Sequence, residues 1–305
     1  MKLSDLRVLD IFAGCGGLSL GFQNAGFSVV GAIDNWQLAI NIYSKNFDHP
    51  VYNCDLSIPE DSYHIFKNLN CNFIIGGAPC QDFSNAGLRN EDNGRGELSI
   101  SYARIIQHVR PQIFVLENVE RYRKSNKYLQ VKEIFKACNY GLTETILNAS
   151  LCGVPQARKR YICIGVLGGA DNALLSLLHE GLAPRPMTVR DYLGDSLGTE
   201  YYYRHARSYQ RKAIFSIDEP SPTIRGTNRP ISKNYIPHKN DACRDLRRVR
   251  ALTTLERSYI QTFPSSFNFD IENQTKTDLE QVIGNAVPVK LGEYIAVAIS
   301  KYLGV

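Results

Sequence analysis

Residues 73–87 read Phe73-Ile74-Ile75-Gly76-Gly77-Ala78-Pro79-Cys80-Gln81-Asp82-Phe83-Ser84-Asn85-Ala86-Gly87. The apolar run from Phe73 to Ile75 is the end of a buried strand. Gly76 and Gly77 break it, and Pro79 fixes the backbone one residue before Cys80. A thiol delivered in this way stands at the carboxyl edge of a strand, where open α/β sheets place their ligands. Cysteine is also a common small core residue. Here, however, Gln81, Asp82, Ser84 and Asn85 are too polar for a core strand. Cys80 is therefore read as a nucleophile.

Upstream, Leu6 to Phe12 is a short apolar strand, followed by Ala13-Gly14-Cys15-Gly16-Gly17 and an amphipathic run from Leu18 to Ala25. Strand, glycine turn and helix start form a corner of the nucleotide-binding type, since glycines let the backbone approach a ligand and a helix amino end favours negative charge. A second strand, Phe27 to Ile33, ends in Asp34, at the distance where an acid takes ribose hydroxyls in a doubly wound fold. A third strand edge, Val51-Tyr52, leads to Asp55. The glycine turn alone would serve equally well as a structural tight turn. Two acids at successive strand ends beside it point to an adenosine-bearing cofactor. No G-x-x-x-x-G-K-[ST] is present, which excludes the phosphate-cradling loop of NTP enzymes.

Downstream, residues 82–96 are rich in Asn, Asp, Gly and Arg and read as a loop beside the nucleophile, either a closing lid or an ordinary surface loop. Leu98 to Val109 has helical spacing, ended by Arg110-Pro111. Ile113 to Leu116 is another buried strand, delivering Glu117-Asn118-Val119 to the edge that carries Cys80. Glu117 could be a plain strand-end carboxylate; near a nucleophilic thiol it is a candidate proton donor. A helix closes at Ile134 to Cys138, and Thr143 to Leu147 reads as a strand. Gln156-Ala157-Arg158-Lys159-Arg160 then leads into the strand Tyr161 to Leu167, and alternation predicts that Arg158 and Arg160 point the same way.

The 305 residues are 44% hydrophobic and 21% charged, ordinary for a globular chain with one sizeable core or a core and a smaller companion. A net charge of +5 permits a polyanionic partner without requiring one. No apolar run reaches membrane-spanning length and Met1 to Arg7 lacks the layout of a secretory signal, so a cytoplasmic, membrane-free protein is expected. The eight cysteines contain no C-x-x-C pair, which argues against zinc-ribbon and thioredoxin chemistry, and against a metal, and suggests reduced thiols.

Five elements occur in a particular order: Asp10-Ile-Phe-Ala-Gly-Cys-Gly-Gly, Pro79-Cys80-Gln81-Asp-Phe83-Ser84, Glu117-Asn118-Val119, Gln156-Ala-Arg158-Lys-Arg160 and Gly284-Asn285-Ala-Val-Pro288. In this order and spacing the chain resembles the DNA (cytosine-5) methyltransferases, over nearly its whole length and at the size of a compact bacterial modification enzyme. The resemblance implies an α/β, doubly wound, Rossmann-like sheet dependent on S-adenosylmethionine, with a second, smaller DNA-recognition domain. The catalytic and cofactor domain would span 1–167, completed by 280–305, and the recognition domain with its scaffold helix 168–279. Cys80 becomes the thiolate that adds to C6 of a flipped-out cytosine, Glu117 the group at N3 and the exocyclic amine, Arg160 the group at O2, and Arg158 its support. Phe12, Ala13, Gly14 and Gly17 fall at the methionine and glycine-turn region, with Asp34 on the ribose, Trp36 near the adenine, and Asp55 with Leu56 at the adenine edge. Pro79, Asn285 and Val287 complete the cofactor pocket. Relatives often carry Glu where Asp34 stands, one methylene longer.

From Tyr201 to Arg257 thirteen basic side chains face five acids, interleaved with Tyr201, Tyr202, Tyr203, Tyr209 and Tyr235. Such a stretch suits phosphate contact and groove reading, although a charge run is also a common solvated face. By resemblance Thr223 begins the recognition-loop element, Arg225 and Asn228 could read base edges, and Gln81 and Ser84 belong to the DNA side. Val249 to Phe263 is expected as one helix, Gln281 to Pro288 as a turn, and Val289 to Leu303 as a helix beside the first. The partners expected are double-stranded DNA and, genetically, a cognate restriction endonuclease, with the enzyme acting as a monomer. Two alternatives stay open on sequence alone: methylation of tRNA, as in the family's RNA-directed branch, and a non-catalytic DNA-binding relative.

Overall fold

The computed structural model describes residues 3–79, 97–206 and 211–305. Cys80, Gln81, Ser84 and the 82–96 segment lie outside the described residues, as do Arg207 and Tyr209.

Strands and helices alternate from the start: β1 (Arg7–Ile11), α1 (Gly17–Asn24), β2 (Ser28–Asp34), α2 (Gln37–Asn46), β3 (Val51–Asn53), α3 (Tyr63–Leu69), β4 (Phe73–Gly76), α4 (Glu97–Val109), β5 (Ile113–Val119) and α5 (Asn126–Ala137). Then come β6 (Tyr140–Asn148), β7 (Gln156–Ala157), β8 (Lys159–Leu167), α6 (Leu175–Glu180), α7 (Val189–Leu193), β9 (Tyr201–Tyr203), β10 (Ile214–Ser216), β11 (Ser221–Pro222) and β12 (Val249–Ala251). Helices α8 (Thr254–Ile260), α9 (Lys276–Asn285) and α10 (Val289–Leu303) complete the chain.

Seven strands form the main sheet in the order β3-β2-β1-β4-β5-β8-β6. Pairs among β1 to β5 are parallel, while β8 runs antiparallel to both β5 and β6. The winding reverses between β1 and β4, so the doubly wound expectation holds, and the crevice at their carboxyl ends is the switch point where such sheets take ligands. β4 is buried at all four residues and β5 at six of seven, which is why both read as continuous apolar runs rather than alternating ones. One face packs Leu9, Ile74, Phe114 and Leu116 against Tyr102, Ile105 and Phe135 of α4 and α5. The other packs Val8, Phe73, Ile75 and Val115 against Phe22 of α1 and Leu291 and Ile295 of α10. Leu174 and Leu178 join this second core, and Tyr294 donates a 2.6 Å hydrogen bond to the Leu178 carbonyl, so α6 packs on the large sheet.

The smaller unit is built on a three-stranded sheet, β10-β9-β12, and β11 pairs in parallel with β7. Two sequence expectations need correction here. Val249 to Ala251 is not the start of a helix but a strand on β9. The helix starts at Thr254, where the Thr253 hydroxyl accepts the Glu256 N–H and the Glu256 carboxylate accepts the Thr253 N–H, a Thr-x-x-Glu box visible in the sequence. Gln281 to Asn285 likewise belongs to α9, and the turn is confined to residues 286–288. By composition Lys276–Leu303 is apolar enough to cross a membrane, but it is two helices broken at this turn and two thirds of its most apolar stretch is buried inside the fold.

The expected pairing of α10 with α1 is present and unusually close. A Cβ on Gly21 would stand 2.5 Å from the Val289 carbonyl oxygen and 2.6 Å from the Glu293 nitrogen, both backbone atoms that cannot yield without moving the helix. Gly21→Ala should lower stability by about 2 kcal/mol, read as a reduced urea midpoint with unchanged slope. A wild-type midpoint would mean that the two helices are not packed as described.

Candidate active site

The glycine corner is shaped by left-handed backbone at Phe12 (φ 57°), Gly14 (φ 57°) and Gly16 (φ 91°). Phe12 is the costly one, because its side chain must tolerate a conformation that suits glycine. Its turn is held from the neighbouring strand: Asp34 accepts the Gly14 N–H and the Trp36 N–H, one on each oxygen, both at 2.8 Å. Burial pushes the Asp34 carboxyl up from its ordinary value, and the amides of Trp36, Gly14 and Asn35 draw it back down. A carboxylate offers about four lone-pair sites, so after these amides Asp34 still has acceptor capacity for a hydroxyl. No atom of the described residues lies within 4 Å of the point a Gly14 Cβ would occupy. A Cβ on Gly17, by contrast, would stand 2.1 Å from the Val287 carbonyl oxygen, so the turn after α9 closes directly on the glycine corner.

The other expected cofactor residues are less uniform. Trp36 is half-buried and packs on the core cluster that contains Ala32, Tyr43 and Phe47. Asp55 is exposed, with Oδ1 accepting the Ser57 N–H at 2.9 Å, while Leu56 is a core side chain at 1% exposure. Asn285 is exposed at the end of α9.

At the other side of the switch point, Glu117 is 8% exposed and its Oε1 lies 2.8 Å from Nε of Arg160. The pairing of β5 with β8 explains this: Val119 is opposite Arg160 and Glu117 opposite Ile162, so Glu117 and Arg160 are diagonal neighbours on one face. Gly77 makes room for the carboxylate, since a Cβ there would lie 2.9 Å from Glu117 Oε2. Asn118 is buried between two tasks, donating from Nδ2 to the Ala78 carbonyl at 3.2 Å and accepting its neighbour Val119's N–H at 2.8 Å. It thus holds the backbone that leads to Pro79, the last residue described before Cys80.

Arg158 does not share the surroundings of Arg160. It falls in the break between β7 and β8, where period-two alternation does not apply, and it is 2% exposed. Its guanidinium donates to the carbonyls of Ile224 (3.1 Å), Gly284 (3.3 Å) and Ala286 (3.2 Å). Beside it Gln156 accepts the Ile224 N–H and donates to Gln261, which in turn donates to the carbonyls of Ile283 and Ala286. Neither glutamine was singled out from sequence, although a fully buried Gln is itself a signal of a polar clamp. Together they tie the segment after β11, the strand bearing Arg160 and the turn at Val287 into one block.

That tie brings residues 223–228 next to β7 and β8. Thr223 donates from Oγ1 to the Ala157 carbonyl at 3.1 Å, and Arg225 donates to the His205 carbonyl at 2.6 Å. The Asn228 amide donates to Leu252 O and Glu280 Oε1, so both donors are spent inside the protein and its base-reading assignment loses its donor half. Glu280 is also the buried ion-pair partner of Arg257. Much of the basic stretch is neutralised internally, as in Lys212–Glu219, Arg247–Asp245 and Arg250–Glu256. Arg211, Arg229, Lys233, Lys239 and Arg244 are exposed without an ion pair among the described residues.

Comparison with known proteins agrees with this geometry. The family of C-5 cytosine-specific DNA methylases matches residues 6–301. The Type II methyltransferase M.HindV of Haemophilus influenzae is 52% identical over 298 residues, covering 97% of each chain. M.HgiDI of Herpetosiphon aurantiacus, also a Type II methyltransferase, is 49% identical, covering 98% of this chain and 95% of its own. Among solved structures, S. pombe Dnmt2 methyltransferase superposes with a TM-score of 0.72 over 98% of this chain and 99% of that one. The Entamoeba histolytica methyltransferase EhMeth gives 0.70 over 98% of each. Both are 18% identical and speak for the fold alone.

Arg158→Met removes the guanidinium while keeping bulk, taking this donor from the buried Ile224 and Gly284 carbonyls and leaving Ala286 to Gln261 alone. Unfolding free energy should fall by about 3 kcal/mol, measured by urea titration. A loss within error of zero would mean that the tether is not formed.

Proposed function

The chain belongs to the C-5 cytosine-specific DNA methylase family, and from that premise we propose that it methylates cytosine at C5 within a specific sequence of double-stranded DNA, using S-adenosylmethionine. The observation that carries the reading is the Glu117–Arg160 ion pair held one strand away from the Gly76–Pro79 edge. The Type II designation of its relatives supports a cytoplasmic role protecting DNA from a cognate restriction endonuclease. We read the enzyme as a monomer, with residues 1–167 and 280–305 around the chemistry and 168–279 facing DNA.

S-adenosylmethionine, when bound, supplies an electrophilic methyl group on a sulfonium and leaves as S-adenosylhomocysteine. The residues at the corner fit it: the space beside Gly14, the remaining acceptor capacity of Asp34 and the closure by Val287 suit the glycine-turn and ribose portions, and by resemblance we assign Phe12, Ala13, Gly17, Trp36, Asp55, Leu56, Pro79 and Asn285 to the same pocket. Cytosine C5 is a poor nucleophile until the ring's aromaticity is broken. Cys80, as thiolate, forms the S–C6 bond, and the displaced electron pair makes C5 an enamine-type carbon. Glu117 provides a proton at N3, which drains the charge, and Arg160 steadies both Glu117 and the base O2. After C5 is substituted its proton leaves, the C5–C6 double bond re-forms, the S–C6 pair returns to Cys80 as thiolate, and N3 gives its proton back to Glu117. No side chain stands out as that proton's acceptor, and water fills the role. Ring faces are inaccessible inside a duplex, so the base must be flipped out at a cost of roughly a few kcal/mol. By resemblance we assign Gln81, Ser84, Thr223 and Arg225 to the DNA side, with Arg158 acting through the block it ties together.

Cys80→Ser should abolish transfer of labelled methyl to duplex DNA and trapping by 5-fluorocytosine DNA; transfer at the wild-type rate would refute the covalent route. Glu117→Ala should cut turnover by ~10²–10⁴ with DNA affinity retained, and equal turnover would remove Glu117 from the mechanism. Labelling of tRNA in preference to DNA would reassign the substrate. Affinity for nonspecific duplex should fall steeply with salt, and neutralising Arg211, Arg229 or Lys233 should each reduce the log–log slope by about 1; a slope left unchanged would move the DNA path elsewhere.

A further inference from the structure

Beneath the glycine corner lies a chain of four side chains that no step above employs. Asp10, on β1 and 1% exposed, accepts a 2.6 Å hydrogen bond at Oδ2 from the Ser19 hydroxyl. The Tyr43 hydroxyl is 2.8 Å from Ser19 Oγ and 2.7 Å from Nε2 of His49. His49 is half-buried, just before β3, so the chain runs from the core to the protein surface. The other carboxylate oxygen of Asp10 is buried and has no hydrogen-bond partner among the described residues. The same tyrosine touches the cofactor corner. Tyr43 and Phe47 are stacked at 4.2 Å, and a Cβ on Gly16 would stand 2.4 Å from Phe47 Cε2 and 2.8 Å from Tyr43 Cε2.

Counting protons along this chain gives two self-consistent arrangements. In one, Asp10 is ionised, Ser19 donates to it, Tyr43 donates to Ser19, and His49 must carry its proton on Nε2. In the other, Asp10 is protonated and donates to Ser19, Ser19 to Tyr43, and Tyr43 to a bare Nε2. Both satisfy the same contacts, and they interconvert by moving protons alone. The buried Asp10 can therefore exchange its proton with solvent through His49. Burial supports this: it pushes the Asp10 carboxyl up to about 7 and draws the His49 imidazole down, bringing the two ends toward one another. The other titratable groups facing Asp10 are Asp34 from β2, Cys15 from the glycine turn and Tyr102 from α4, while Asp48 faces His49.

We propose that Asp10, Ser19, Tyr43 and His49 form a proton wire under the cofactor turn, in which His49 and Tyr43 act as positioning residues that set the charge presented there. This rests on the cofactor reading above. An ionised Asp10 adds negative charge beside Asp34 and favours a bound sulfonium cation over its neutral thioether product; a protonated Asp10 does not. Discrimination between S-adenosylmethionine and S-adenosylhomocysteine then improves as pH rises through neutrality.

The test has two arms. In the first, the protein without cofactor is labelled at imidazole nitrogen and His49 is titrated by NMR. Asp10→Asn should lower the His49 midpoint by about one unit, and should leave it nearly unmoved once Tyr43→Phe has cut the wire without removing the ring. Ser19→Ala replaces Asp10→Asn if that variant folds poorly. An equal shift with and without the tyrosine hydroxyl, or none in either, overturns the proposal. In the second arm, calorimetry compares the two adenosyl ligands. The ratio of their affinities should rise roughly three- to tenfold from about pH 6 to about pH 8 in the wild type and stay flat in Tyr43→Phe. A rise of the same size in the variant overturns it. Failure of the wild type to bind S-adenosylmethionine at all would instead count against the functional reading, and the imidazole arm would still decide the wire.

Discussion

Two parallel strands, β1 and β4, lie side by side but continue into opposite halves of the sheet, and the rest of the molecule answers to that reversal. Helices that follow adjacent strands normally cover the sheet edge; where the winding changes sense they diverge and leave a crevice. The approach is tight, because a Cβ on Gly76 would stand 2.0 Å from the Ile11 carbonyl oxygen. Everything with chemical character at this edge is grouped around it: the glycine corner after β1, Asp34 one strand out on one side, and Glu117 one strand out on the other.

A crevice of this kind is open toward solvent unless another part of the chain closes it. Here the closing segment comes from the far end of the sequence. The turn between α9 and α10 meets Gly17, and α10 lies against Gly21, so the C-terminal helix cannot be displaced without opening the corner. The same turn supplies the Ala286 carbonyl to Arg158 and Gln261. The segment around Ile224, held through Gln156 and Arg158, is therefore braced against the glycine corner rather than hung from the sheet as a separate body.

How much of this was legible in the sequence differs by kind of signal. Buried strands of a parallel sheet announce themselves as unbroken apolar runs, so β4 and β5 could be placed from Phe73–Ile75 and Ile113–Leu116 alone, although β5 runs on through Glu117 to Val119. Motif order marked Glu117 and Arg160 separately, and the structure adds the diagonal pairing across β5 and β8 that makes them partners. What failed were arguments from local periodicity where tertiary contacts decide. Val249 to Phe263 has helical spacing, yet Val249–Ala251 is captured by the edge of β9. Arg158 and Arg160 are two residues apart, yet a strand break between them sends their guanidinium groups to different partners. The role of Asn228 was unreadable because the carbonyl and carboxylate that absorb its donors lie 24 and 52 residues away.

The two arginines also differ in what balances their charge. Arg160 faces a carboxylate, at a partly accessible edge where a substrate oxygen can compete for it. Arg158 is buried with hydrogen bonds to three carbonyls, a setting in which an isolated cation would be expensive. The carbonyls of Gly284 and Ala286 belong to the end of α9, where unsatisfied C=O groups carry the negative pole of the helix. Among the described residues, the end of this helix offers the guanidinium more than one acceptor at once. That difference makes one arginine suited to hold backbone and leaves the other suited to exchange partners, which is why the same residue type appears twice within three positions.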